Sequence, residues 1–284
     1  MSRIVYLNGA WLPEEDAKVS IFDRGFLFAD AIYEVTGVVG GKLLEYQGHA
    51  ARLQRSMAEL GIACPLSQDE LLEVHREIVR RNALEEGLIY LQISRGTADR
   101  DFAYPKDATP TLTLFTQAKA VLDNPKVATG ISVVLLPDHR WARRDIKTVQ
   151  LLYPSMAKME ATARGAEEAW LVEDGFVTEA SAANAHIITA EGTLVTRPLS
   201  QAILHGITRA SIVEIAENAG IACEERAFTP EEAKAAAEAF MTSATNFVLP
   251  VVAIDGQPVG AGKPGPLTLK LRALYVARKV ANAI

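Results

Sequence analysis

The stretch Arg140-Trp141-Ala142-Arg143-Arg144-Asp145-Ile146-Lys147 lies between an apolar strand, Ile131 to Leu136, and a long run of helical character. Pro137-Asp138-His139-Arg140-Trp141 breaks the strand, so Lys147 arrives where the polypeptide leaves a sheet and re-enters packed structure, a junction of the kind that carries binding groups. Ile146 on one side and Val149-Gln150-Leu151-Leu152 on the other give the lysine apolar neighbours. Desolvation and the adjacent arginines both disfavour an ammonium ion, and the neutral amine is a nucleophile toward carbonyls. The plainer alternative is a solvated lysine in a basic turn. The rest of the chain has to decide between them.

Working outward, 284 residues exceed the size at which single cores stop growing, so two domains are expected. A net charge of −6 argues against a nucleic-acid surface and leaves small metabolites as the partners. The N-terminal stretch turns polar at Asn8-Gly9, and no run of about 18 apolar residues is present, so export and membrane readings drop out. Cys64 and Cys223 share the context Gly-Ile-Ala-Cys and lack metal-ligand spacing; they read as buried, reduced thiols of a cytoplasmic protein.

Ile4 to Leu12 reads as a hairpin about Asn8-Gly9. Asp23 to Phe26 reads as a loop, and Ala31 to Val35 as a strand with Ile32 and Glu34 on one face and Tyr33 and Val35 on the other. His49 to Leu60 has helical spacing with Arg52 off the apolar stripe, free to reach outward. Ser67 and Glu70 form a capping box for a second helix running to about Asn82. Strands at Leu88 to Ser94 and Thr111 to Thr116 flank a polar loop too long for a simple hairpin, and long loops of that kind carry function. We assign residues 1–118 to a small N-terminal domain, 119–125 to a linker and 126–284 to a larger C-terminal domain.

In the C-terminal domain Pro154 to Gly165 reads as helical. Ala169 to Val172, Phe176 to Glu179, Ala185 to Thr189 and Thr193 to Thr196 read as a meander. Within it, Ser181, Ala182 and their small neighbours, flanked by Glu179 and Asn184, allow close approach of a flat ligand; a tight strand connection is the alternative. Leu204-His205-Gly206-Ile207-Thr208-Arg209 opens a helix whose first N–H groups suit a phosphate. Thr229-Pro230-Glu231-Glu232 starts another helix, with a capping threonine, proline first and glutamate third; Met241 to Thr245 makes a hydroxyl-rich turn, Asp255-Gly256 a hairpin, and Leu267 to Ala281 a final helix. There is no Walker loop, no GxGxxG, no GxSxG and no HExxH, and the five histidines have no metal-ligand spacing.

A lysine that forms a Schiff base with pyridoxal phosphate needs an anion site for the phosphate, an acid partner for the pyridine nitrogen and packing for the ring. Glu179 at a strand end supplies a candidate acid. The amides of Ile207 and Thr208, the turn at Ser243-Ala244-Thr245, and Arg52 supply a candidate phosphate cup.

With those pieces in place the chain resembles the class IV pyridoxal-phosphate aminotransferases, and within them the bacterial D-amino-acid transaminases. The likeness is carried by DRGFLFADAIYEV (23–35), HAARL (49–53), SRGT (94–97), RWARRDIK (140–147), VTEASAAN (177–184), ILHGITR (203–209) and MTSAT (241–245). It implies an α/β (α+β) two-domain fold of type IV, a small N-terminal α/β domain, a C-terminal domain with a barrel-like sheet, and a homodimer. It further implies that Lys147 is the Schiff-base lysine and proton shuttle and that Glu179 partners the pyridine nitrogen. Arg52, Ile207 and Thr208 are the implied phosphate ligands, Leu204 packs on the ring, and Tyr33 and Arg100 bind the substrate carboxylate. Phe102 stands where well-known members carry histidine, which removes a donor and adds an apolar wall. Ala244 stands where a threonine is usual, with Thr245 beside it to compensate.

The resulting expectation is an enzyme moving the amino group of a D-amino acid, by default D-alanine, to a 2-oxo acid, by default 2-oxoglutarate. Within the same fold the alternatives are an (R)-amine transaminase, a branched-chain aminotransferase and an aminodeoxychorismate-lyase-like enzyme.

Overall fold

The computed structural model describes residues 2–284, which divide into two compact units. The first holds the chain up to Val121, together with Ile146–Gln150 and Asn282–Ile284; the second holds Leu122–Asp145 and Leu151–Ala281. The division is therefore not a single cut. The five residues around Lys147 belong with the first unit although both flanks belong with the second.

The first unit is built on a six-stranded sheet. Its hairpin, β1 (Ile4–Leu7) and β2 (Ala10–Pro13), turns through Asn8 and Gly9, both at positive φ, which matches the twist of antiparallel strands. Helix α1 (Arg24–Phe28) stands where the sequence reads a loop. A single helical turn forms there because Asp23 caps it, accepting from the Gly25 N–H at 2.8 Å while the Ser94 hydroxyl fixes its other oxygen.

Strand β3 (Ala31–Val39) continues past the expected Val35, and β4 (Lys42–Leu43) follows. Helices α2 (Tyr46–Leu60) and α3 (Gln68–Arg81) come next, α3 with the expected Ser67–Glu70 capping box, then β5 (Glu86–Ser94) and β6 (Thr111–Ala118). The sheet order is β2-β1-β6-β5-β3-β4. Alternation in β3 sends Ile32, Glu34, Thr36 and Val38 into the core and leaves Tyr33 and Val35 half-exposed. Helix α2 packs on β3, and α3 on β1 and β6.

Beneath α3, burial pushes the His75 imidazole down to about 4, partly offset by its bond to the Leu71 carbonyl. The folded ring is thus neutral where an unfolded one would be charged. Between pH 6.5 and 4 the unfolded chain binds the extra proton, so stability contributed by neutral His75 is whole above that window and is lost as pH falls through it. We expect the urea-derived unfolding free energy to drop between pH 7 and pH 5, and His75→Phe to shrink that drop by about 2 kcal/mol. An equal drop in both proteins would contradict the assignment.

In the second unit, α4 (Lys126–Thr129) and β7 (Ile131–Pro137) lead to α5 (Leu152–Ala163), β8 (Glu168–Glu173), β9 (Phe176–Ala180), β10 (Asn184–Ile188) and β11 (Leu194–Thr196). Then come α6 (Ile207–Asn218), β12 (Cys223–Glu225), α7 (Pro230–Ala235), β13 (Glu238–Ser243), β14 (Phe247–Ile254), β15 (Gln257–Pro258) and α8 (Pro266–Ala281). The strands form one mixed nine-stranded sheet ordered β12-β11-β10-β13-β14-β7-β8-β9, with β15 on β14. It curls into a half-barrel that brings β9 back beside β10.

The expected meander is corrected: β8–β9 and β10–β11 are hairpins at opposite ends of the sheet, with β13, β14 and β7 between them. Residues 181–183 are the tight crossing, closed by the Ala180 N–H on the Ala183 carbonyl at 2.7 Å. Trp170 and Phe228, both fully buried, anchor the core inside the curl with Val133, Val177, Ile187 and Leu249. Helix α5 begins two residues before the expected Pro154, seating Ala157 and Ala161 against Ala169 and Leu171. Both cysteines are free and half-buried rather than buried. Among the described residues no helix is long and apolar enough to cross a membrane, and no cluster of acidic, histidine and cysteine side chains could hold a metal.

Candidate active site

Lys147 sits on an irregular strip, Ile146–Gln150, that pairs with the start of β3 ahead of the helical run. The Tyr33 N–H donates to the Lys147 carbonyl at 3.0 Å, the Val149 N–H to the Ala31 carbonyl at 3.1 Å, and Thr148 bridges Ile32. This pairing places the Lys147 Nζ 4.1 Å from the centre of the Tyr33 ring. The lysine is half-buried rather than sealed. Its arginine neighbours do not act as expected from sequence: Arg143 is paired with Asp145 at 3.0 Å, and Arg144 with Glu173 at 2.6 Å, so each charge is balanced locally. Tyr33 stacks on Tyr90, which stacks on Phe115, at 5.5 and 4.8 Å between centroids. Burial pushes the Tyr90 phenol up to about 12, keeping it a neutral donor to Gln92 Oε1 at 2.8 Å.

Arg52 does not reach outward. It is buried on α2 and grips Glu34 with two bonds, Nε–Oε1 at 2.7 Å and Nη2–Oε2 at 2.8 Å, while His49 Nδ1 lies 2.8 Å from the same carboxylate. Burial of Glu34 alone would raise its pKa, but the charge of Arg52 and the bonds from Arg52 and His49 outweigh it and hold the carboxyl far below its usual range. Arg100 and Phe102 lie together on the long loop between β5 and β6, both exposed, with the Arg100 guanidinium 5.4 Å from the Phe28 ring and 5.5 Å from the Phe102 ring.

In the second unit Glu179, the penultimate residue of β9, is buried. It accepts from Arg140 Nη1, from Asn184 Nδ2 at 2.9 Å and from the Leu204 N–H at 3.2 Å. Burial pushes its pKa up and Arg140 pulls it back. Desolvation of Arg140 is outweighed by Glu179 and Asp138, so the guanidinium stays charged, gripping Asp138 on its other side.

Leu204, Gly206, Ile207 and Thr208 lie within a turn of the start of α6, which has Gly206 at its N-cap and no side-chain cap. A Cβ at Gly206 would fall 2.0 Å from Asn184 Oδ1, so any other residue there would have to displace the Asn184 side chain. The turn Ser243-Ala244-Thr245-Asn246 is closed by the Asn246 N–H on the Ser243 hydroxyl and ends in Phe247, a non-glycine residue at φ 57°. Ser181 is buried with its hydroxyl on Glu168, and Ala182 is exposed beside it.

Glu34, His49, Asp138 and Arg140 were not singled out from sequence. A signal existed for Glu34, a carboxylate on the inward face of an otherwise apolar strand, which requires a buried cation. Asp138 lies in a stretch read only as a strand break, Arg140 opens the RWARRDIK stretch without a role of its own, and nothing in the spacing joins Arg140 to Glu179.

The groups present fit the cofactor that the resemblance implies. The first-turn N–H groups of α6 have no side-chain cap to satisfy them, the Gly206–Asn184 approach keeps the helix start narrow, and Glu179 is an enclosed carboxylate offering an acceptor.

The amino-transferase class IV family model matches residues 31–254. D-alanine aminotransferase of Bacillus licheniformis is 39% identical over 266 residues, covering 93% of each chain. D-alanine aminotransferase of Staphylococcus aureus (strain COL) is 38% identical over 271 residues, covering 94% of this chain and 95% of that one. Among solved structures, a branched-chain amino acid aminotransferase from T.th. with pyridoxamine 5'-phosphate superposes with a TM-score of 0.91 at 26% identity, over 99% of this chain and 95% of that one. The branched-chain aminotransferase of Thermoproteus uzoniensis gives 0.88 at 27% identity, over 99% and 96%. Matched by the family model over most of its length and nearly two-fifths identical to relatives of its own size, the chain belongs to the class IV aminotransferases and has their type IV fold.

Proposed function

We propose that this protein is a cytoplasmic, pyridoxal-phosphate-dependent D-amino-acid aminotransferase, with D-alanine as default donor and 2-oxoglutarate as default acceptor. The observation that carries the reading is the 39% identity to a D-alanine aminotransferase across 93% of both chains. The branched-chain enzymes share the fold at 26–27% identity and give the weaker argument on substrate.

When bound, the cofactor supplies the carbonyl that takes up the amino group and the electron sink for charge left at the substrate α-carbon. Lys147 then holds and moves the proton at that carbon, a general acid–base role for an amine. Glu179 presents an oxygen to the pyridine nitrogen, and Leu204 covers the ring. Ile207, Thr208, Ala244 and Thr245 supply the phosphate cup, and Arg52 supplies a cation. Glu34 and His49 hold that guanidinium in one orientation, which suits a directional phosphate contact. Tyr33 and Arg100 recognise the substrate carboxylate, with Phe102 as an apolar wall. A homodimer is part of the same reading, and Leu152, Met156 and Met159 form an exposed apolar stripe along α5 on which a second copy would seat.

The test is the visible spectrum of the purified protein during addition of D-alanine or L-alanine without acceptor. D-Alanine is expected to remove the aldehyde-form band and raise the amine-form band, and L-alanine to leave the spectrum unchanged. Conversion by L-alanine, or by neither, would overturn the stereochemical reading.

A further inference from the structure

Between Asp99 and Pro110 the chain has no helix or strand, yet the segment that presents Arg100 is held from outside by a buried cluster. Gly96 closes its base: a Cβ there would fall 1.9 Å from the Thr109 carbonyl, and its φ of +102° is one that other residues rarely adopt. Farther out, Asp30 joins two arginines. Its Oδ2 accepts from Arg24 Nε at 2.8 Å and from Arg95 Nε at 2.7 Å, and its Oδ1 from Arg95 Nη2 at 3.1 Å. All three side chains are buried. Arg95 is tied down further by the carbonyls of Leu60 and Gly61 at the end of α2.

Both guanidiniums then face the loop. Arg24 Nη1 donates to the Asp101 carbonyl at 2.6 Å, and the Tyr104 ring lies 3.6 Å from the Arg95 guanidinium carbon. Residues 101 and 104, on either side of Phe102, are thereby fixed to a rigid hub. Phe102 in turn packs on Phe28, 5.6 Å away, and the two rings flank the Arg100 guanidinium. One carboxylate thus serves two buried cations, of which Arg24 reaches the loop through a donor and Arg95 through the face of its guanidinium.

We infer that Arg24 and Arg95, joined by Asp30, are positioning residues for Arg100: they hold the 99–104 segment through Asp101 and Tyr104 and so set the enzyme's KM for its substrate carboxylate. The inference rests on the reading of Arg100 as a carboxylate ligand. An aromatic brace also gives Phe102 a function in holding the arginine from the side.

Two readouts test it on the holoenzyme: trypsin cleavage after Arg100 and Lys106, which reports release of the loop, and steady-state kinetics with D-alanine. Tyr104 is 60% exposed, so Tyr104→Ala carries little risk to folding. That variant is expected to be cut about tenfold faster and to raise KM about fivefold with kcat changed less than about twofold. Arg24→Gln does the same, and Tyr104→Phe, which keeps the ring on Arg95, restores both. Unchanged cleavage and KM in Tyr104→Ala and Arg24→Gln would overturn the inference. Arg100→Ala, measured beside them, separates the two claims. If it raises KM while the loop variants do not, the carboxylate reading stands and the positioning role falls. If it leaves KM unchanged, the carboxylate reading falls and the inference with it, even where cleavage of the loop variants is faster.

Discussion

Replacing Lys147 by alanine is expected to lower kcat by about 10³-fold or more, the scale of losing the acid–base group and nucleophile that we propose Lys147 to be. The strip Ile146–Gln150 holds its backbone against β3 by main-chain bonds that a Cβ-only side chain does not disturb. The amine lies over the Tyr33 ring at 4.1 Å, and removing it takes away one half-buried cation and little packing. Stability should therefore change by less than about 1 kcal/mol. Measuring kcat beside the urea midpoint separates the two effects. Activity retained within about tenfold, or a loss matched by unfolding, would remove Lys147 from the chemistry.

Glu179→Gln is the second large effect, and it acts on both activity and stability. On the proposed reading a neutral amide no longer offers a charged acceptor to the pyridine nitrogen, and loss of one such preorganised electrostatic partner lowers kcat by about 10²-fold. The same change leaves Arg140, enclosed and charged, with Asp138 alone. Breaking a buried pair from one side costs about 3–5 kcal/mol, and the bond to Asp138 places the expected loss at the low end of that range. Kinetics with D-alanine and urea unfolding of the same preparation check both numbers. A kcat within about twofold of wild type would contradict the role given to the carboxylate.

Much of this was legible in the residues. The Asn8-Gly9 turn, the Ser67–Glu70 and Thr229–Glu232 capping boxes, the strand alternation that separates Glu34 from Tyr33, and the glycine at the start of α6 are local signals, and each produced the element it encodes. What failed was long-range. Hairpins adjacent in sequence lie at opposite ends of the curled sheet because β13 and β14, coming later in the chain, insert between them. The strip around Lys147 reads only as a junction ahead of a helical run, because its apolar residues cannot reveal that β3, more than a hundred positions earlier, offers them a pairing edge. Arg52 looks exposed by its place on the helical wheel, but Glu34 draws it inward, and two bonds to a buried carboxylate outweigh solvation of one guanidinium. The arginines beside Lys147 likewise find their carboxylates through tertiary structure or a two-residue turn that spacing does not announce.

Chiral analysis of the products formed from racemic alanine and 2-oxoglutarate tests the donor and its stereochemistry together. A D-amino-acid aminotransferase yields D-glutamate and pyruvate and leaves L-alanine behind. Formation of L-glutamate with consumption of L-alanine, or of no glutamate at all, would contradict the proposed function.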